Sequence, residues 1–211
     1  MSDLFTPERL IALTILFLTS MPVHEWAHAW AAYQLGDDTA ARQGRLTINP
    51  LAHLDPIGTL LLFVAGYGWG KPVPVNPNRF RGNRRLGHAL VSLAGPFSNL
   101  VLAMLACIPL RLARLFGLAG ALTGLPLNVL SIFVGINLSL MIFNLIPIPP
   151  LDGSRVLTWL LPRSIANQIA QFERYGSLIL LGLIFLLSRA GVLSLIFDPV
   201  FNFMLNLLIV Y

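Results

Sequence analysis

Residues 6–35 read TPERLIALTILFLTSMPVHEWAHAWAAYQL, an apolar run with two histidines and a glutamate in its second half. Thr6 is placed to cap a helix, Pro7 suits the first helical position, and Gly36 ends the pattern. About 28 residues at ~1.5 Å rise give ~42 Å, more than a ~30 Å hydrocarbon core, so the helix must tilt, kink or protrude. Pro22 stands directly before the ionisable residues, either as that kink, freeing a carbonyl beside them, or as an ordinary membrane-helix proline. In Val23-His24-Glu25-Trp26-Ala27-His28 the histidines at i and i+4 share one helical face. Their imidazoles are then close enough to hold one Zn²⁺, and Glu25 sits beside them to take a proton from water. Ionisable residues inside a membrane helix are rare and usually functional, which sets this trio apart.

The composition fixes the class. Of 211 residues, 56% are hydrophobic and 11% charged, and the mean hydropathy is +0.75, far too apolar for a soluble domain. The expectation is one integral membrane domain over residues 1–211, with a catalytic core at about 6–160 and C-terminal helices at about 165–211. Four or five spans fill that length and leave no room for a soluble regulatory module of ~100 residues. The net charge of +5 could suggest nucleic acid, but the basic residues lie between apolar runs, where they act as topology signals; no nucleic-acid partner is expected. Cys107 is the one cysteine, so there is no intrachain disulfide, and its apolar surroundings read as packing. The N-terminus lacks a cationic region followed by a small-residue cleavage site, so no removable signal peptide is expected.

Residues 37–85 change character. Pro, Gly, Asn and charges break up the apolar pieces, and none is long enough to span. Residues 45–49 (RLTIN) and 71–76 (KPVPVN) alternate with period two and are each followed by proline, which predicts a small membrane-associated β-hairpin between the first two spans. Residues 57–67 are apolar and should dip into the bilayer or cover a cavity. His53 and Asp55 at their entrance read as structural or capping residues. A second span follows at 86–110, where Ala94-Gly95-Pro96-Phe97-Ser98-Asn99 combines small residues for close helix contact with polar groups that should face the interior. His88 near its start reads as a solvated helix-end residue.

The third span is expected at 127–146. It runs into Asn144-Leu145-Ile146-Pro147-Ile148-Pro149-Pro150-Leu151-Asp152-Gly153, where three prolines forbid a regular helix and leave Asp152 on irregular backbone. Asp152 suits a third zinc ligand, since two histidines and a carboxylate leave the fourth position open for water. Capping a helix that begins at Ser154 is the alternative.

With these residues in hand, the sequence resembles the site-2 protease family of intramembrane zinc metalloproteases. The resemblance rests on HEWAH (24–28), GPFSN (95–99) and NLIPIPPLDG (144–153), in that order, with GRLTINP and KPVPVNP similar to short prokaryotic members, and covers most of residues 10–160. It implies one Zn²⁺ per chain held by His24, His28 and Asp152, with Glu25 as general base and Asn144 contacting substrate near the scissile bond. It also implies single-span membrane-protein substrates, cut within or near their membrane helices. Against larger members, the expectation is a chain without the inserted peptide-binding domain or the C-terminal nucleotide-sensing domain.

Beyond Asp152, residues 175–188 suggest a fourth span and 192–211 a fifth, broken by Asp198-Pro199. The expected fold is therefore an all-α polytopic membrane protein of about five transmembrane helices plus the small hairpin. Ten basic residues, including Arg42, Lys71, Arg84 and Arg155, fall on the side reached after spans one and three, against four (Arg9, Arg111, Arg114, Arg189) on the other. The ten should be cytoplasmic, which puts the zinc nearer the cytosol of a prokaryotic cell membrane. A catalytically inactive metal-binding or metal-transport protein would account for buried ligands, but not for Glu25 together with a proline-held third ligand.

Overall fold

The opening run folds as a helix in three parts: α1 (Pro7–Ile15), a π-helical turn over Leu16–Ser20, and α2 (Met21–Gln34). The coordinates are a computed structural model that describes residues 7–65, 69–117, 125–172 and 191–206 together with Gly176 and Gly182. Thr6, the expected cap, lies outside them. In the wide turn the Met21 N–H donates to the Leu16 carbonyl, one residue further back than an α-helix reaches. The backbone adjustment expected at Pro22 therefore sits just ahead of it. α2 ends at Gly36, whose φ of +104° only glycine adopts easily. Asp37 N–H then donates to Ala32 O at 2.9 Å and Gly36 N–H to Tyr33 O at 3.0 Å, satisfying the last carbonyls.

Three short helices follow: α3 (Thr39–Arg42), α4 (Pro50–His53) and α5 (Pro56–Ala65), then a 3₁₀ turn at Pro77–Arg79. The expected hairpin is not formed; no strand occurs among the described residues, and both candidate segments lie within them. The Asn-Pro pairs taken as strand ends start helical turns instead. Asn49 accepts from Leu51 N–H and Asn76 from Asn78 N–H, each with proline at the first helical position. Residues 71–76 form no strand ladder: Pro72 and Pro74 have no N–H, and three of the other donors go elsewhere. Lys71 N–H reaches His53 O, Val73 N–H the Glu25 carboxylate, and Asn76 N–H the Asp37 carboxylate. His53 and Asp55 have the structural roles expected of them: His53 Nε2–H donates to Thr47 O and Asp55 accepts from Gly58 N–H at the start of α5.

The 32-residue α6 (Arg84–Leu115) is the axis of the molecule, packing against α2, α7 (Leu125–Asn144) and α8 (Asp152–Leu160). Ala103, Cys107 and Leu110 of α6 meet Val134, Leu138 and Met141 of α7 in the main apolar core. Cys107 is thus a packing residue, as expected. The chain continues through α9 (Arg163–Phe172) and α10 (Val192–Leu205); Phe201 and Met204 of α10 cover the core.

The fold is all-helical over the described residues. Two stretches are long and apolar enough to cross a bilayer, Leu10–Gln34 and Arg84–Ala113, and Val129–Asn144 of α7 is a shorter apolar helix. The expected count of five is not reached among the described residues. Most of the expected fourth span, 175–188, and the end of the expected fifth, 207–211, lie outside them.

Candidate metal centre

His24 and His28 lie on the face of α2 that packs against α6, and both are buried. Their Nε2 atoms are 3.0 Å apart. Each Nδ1 is turned to a partner on α6: His28 to Val91 O at 2.7 Å, His24 to Asn99 Oδ1 at 2.6 Å. A backbone carbonyl only accepts, so His28 carries a proton on Nδ1, and in the neutral imidazole Nε2 keeps a lone pair. The same polarity reaches His24 along a relay. Asn137 Nδ2 donates to Phe133 O at 2.9 Å and turns its Oδ1 to Asn99 Nδ2 at 2.9 Å, which leaves Asn99 Oδ1 to accept from His24 Nδ1–H. Asn99 and Asn137 are fully buried, the interior placement expected of Asn99. The faces meet this closely because residue 95 is glycine: a Cβ there would lie 2.4 Å from His28 Nε2 and 2.6 Å from His24 Cε1.

Asp152 comes from the opposite side, at the first position of α8, with its Oδ2 at 3.3 Å from both histidine Nε2 atoms. It is not a cap. Leu151 holds that position, and Ser154 Oγ donates to Leu151 O. Gly153 lets the start of α8 press on the end of the proline-rich connection, since a Cβ there would lie 2.2 Å from Leu145 O. At the other end of α8, Arg85 of α6 donates to Thr158 O and, at 2.6 Å, to Leu161 O, two carbonyls the helix leaves open. Asp152 is therefore carried by a helix docked at both ends.

Three lone-pair atoms thus converge at 3.0–3.3 Å. With both imidazoles neutral, in the tautomers their partners favour, no N–H or O–H lies between the three atoms, and all three lone pairs are free to bind one cation. Ligands ~2.0–2.1 Å from a tetrahedral zinc lie ~3.3 Å apart, so the set fits that ion. His24, His28 and Asp152 are the one such cluster among the described residues.

A cavity of about 370 Å³ opens over the three atoms and is lined by Glu25, Val73, Asn144, His88 and Arg155 among others. Glu25 Oε2 accepts from Val73 N–H at 3.0 Å. Asn144, the last residue of α7, donates from Nδ2 to Leu140 O. His88 departs from the expectation of a solvated residue: it is half-buried, lines the cavity, and its Nε2 accepts from Arg155. A spacing of one helical turn between His88 and Ser92, both on the cavity, was its only signal in the sequence.

The family model Peptidase family M50 matches residues 109–188, which contain Asn144 and Asp152. YwhC of Bacillus subtilis, named as a candidate zinc metalloprotease, is 48% identical over 172 residues, 80% of this chain and 78% of that one. The chain belongs to peptidase family M50. Rip2 of Mycobacterium tuberculosis H37Rv, with the same candidate designation, is 37% identical over 147 residues, 67% of this chain and 54% of that one. Rip2 of Mycolicibacterium smegmatis is 31% identical over 194 residues, or 71% of its length. No solved structure matches the chain. The resemblance to site-2 proteases read from HEWAH, GPFSN and NLIPIPPLDG is thereby borne out at the level of the family.

Proposed function

We propose that this M50 peptidase is an intramembrane zinc metalloprotease that cuts single-span membrane proteins within or near their membrane helices. The observation that carries the reading is the convergence of His24 Nε2, His28 Nε2 and Asp152 Oδ2 at zinc-like spacing, with Glu25 on the same cavity. His24, His28 and Asp152 hold one Zn²⁺, which when bound supplies a Lewis acid for hydrolysis. Glu25 takes the proton of the attacking water and returns it to the leaving amine. Asn144, at the cavity edge, holds the substrate backbone. A substrate helix must unwind before its carbonyls are free, and donors such as the Asn144 amide compensate the bonds it loses. The ten-to-four division of basic residues supports a cavity that faces the cytoplasmic side of the cell membrane.

Glu25→Gln should retain close to one zinc per chain and lose proteolysis, whereas His24→Ala or Asp152→Ala should lose both, as read by elemental analysis and substrate cleavage. An active Glu25→Gln enzyme would remove the base assignment. For orientation, a single cysteine at Asn83 should be shielded from impermeant label added to intact cells, and labelling from outside would reverse the topology.

A further inference from the structure

The extended segment 71–76 crosses the metal cavity as a strap and is tied at both ends. At one end Arg45 Nη2 donates to Lys71 O at 2.5 Å, and Lys71 N–H donates to His53 O at 2.8 Å. Arg45 is buried, 5% exposed. His53 donates from Nε2 to Thr47 O, so its Nδ1 is an acceptor 3.4 Å from the same Arg45 Nη2. At the other end Asn76 N–H donates to Asp37 Oδ2 at 2.6 Å, while Asp37 Oδ1 accepts from Thr39 N–H at 3.0 Å. Asp37 is 1% exposed and directly follows the C-terminal motif of α2, the helix that carries Glu25. Midway between the ties, Val73 N–H meets Glu25 Oε2.

A single buried arginine spent on a loop carbonyl, facing a carboxylate spent on a loop amide, is more than an exposed loop requires. Buried charged groups cost several kcal/mol each unless they are bonded. Burial pulls the Arg45 pKa below its ordinary value, and the Glu25 charge pulls it back, so the two groups feel each other across the strap. Pro72 and Pro74 complete the arrangement. Both lack an N–H and restrict their φ, so Val73 supplies the one amide donor between Lys71 and Val75.

We propose that Arg45 and Asp37 are positioning residues for hydrolysis: by clamping the two ends of strap 71–76 they hold Val73 N–H on Glu25 Oε2 and leave the second carboxylate oxygen to take the proton. This rests on the reading of Glu25 as the base. A carboxylate with one oxygen fixed cannot swing out of line, and a misplacement of ~1 Å at a reacting group can cost ~100-fold in rate. Substrate still binds the cavity when the strap loosens, so the loss belongs in kcat rather than KM.

The test uses the full-length protein in detergent or liposomes with a cleavable single-span substrate. Arg45→Ala, and separately Val73→Pro, which removes the N–H that meets Glu25, should each lower kcat by roughly 10–100-fold at unchanged KM and unchanged zinc content. Arg45→Lys should recover part of the loss. Hydrogen exchange of the 71–76 peptide should rise in Arg45→Ala and also in Glu25→Ala, a readout independent of turnover. In a Glu25→Asp background, where the carboxylate no longer reaches the strap, Arg45→Ala should cost far less than in the parent. A rise in KM with kcat intact, an equal loss in both backgrounds, or a gain in kcat on Val73→Pro each overturns the proposal. If Glu25→Gln itself stays active, the base reading has failed; if Glu25→Gln is dead and both strap variants run at parent rate, only the positioning role has.

Discussion

The two histidines and the aspartate proposed to hold the zinc reach the same point by different physics. His24 and His28 are set by helical periodicity, one turn apart on α2, and each is fixed again by a partner on α6. Asp152 has no periodicity behind it. It arrives after a proline-rich connection and is placed by the docking of α8, through the close approach at Gly153 and the grip of Arg85 on the far end. The first pair depends on one helix and the face opposite; the third ligand depends on contacts between segments distant in sequence. Damage to the two should therefore look different.

The largest effect is expected at Gly95, where any side chain strikes both imidazoles. Gly95→Ala should lower zinc affinity by more than ~100-fold, read by competition with a chelating dye. Retained zinc would mean that α2 holds its histidines without α6, which would break the comparison. Gly153→Ala should instead spare the histidine pair and move Asp152. Proteolysis falls ~100-fold, with weak metal binding left at two histidines. Equal losses of metal in the two alanine variants would show that the ligands act as one unit. Smallest is Asn99→Leu, which takes the acceptor from His24 Nδ1–H and leaves every ligand atom in place. Zinc affinity should fall ~10-fold, at the low end for an outer partner, with His28 unaffected because Val91 O is backbone.

What could be read in the sequence follows the same division. The HEWAH spacing carries its geometry with it, so His24, Glu25 and His28 were legible from local pattern. The apolar lengths of the first two spans were legible for the same reason. Asp152 was legible as a candidate but not as a certainty, since a residue ahead of Ser154 could equally have capped a helix; only tertiary docking decides between them. The hairpin expectation failed because period-two alternation reports an extended backbone and says nothing of whether a partner strand exists. In 71–76 two prolines lack the donor and the N–H groups of Val73 and Asn76 go to the carboxylates of Glu25 and Asp37, and Asn49-Pro50 and Asn76-Pro77 start turns rather than end strands. His88 was missed because the partner that draws it to the cavity, Arg155, is 67 residues away.

The π turn at Leu16–Ser20 has a geometric consequence for the helix it interrupts. A π turn holds one residue more than an α-helix would, so the two halves are out of step by about one residue, or ~100° of rotation. The side that α1 turns toward α7 and the side that α2 turns toward α6 are thereby chosen independently. In lipid, where the solvent is as apolar as the side chains, nothing but packing and polar contacts decides how a helix is rotated about its axis. The extra residue acts as an angular offset, letting the N-terminal half pack on α7 while His24 and His28 stay aimed at Gly95.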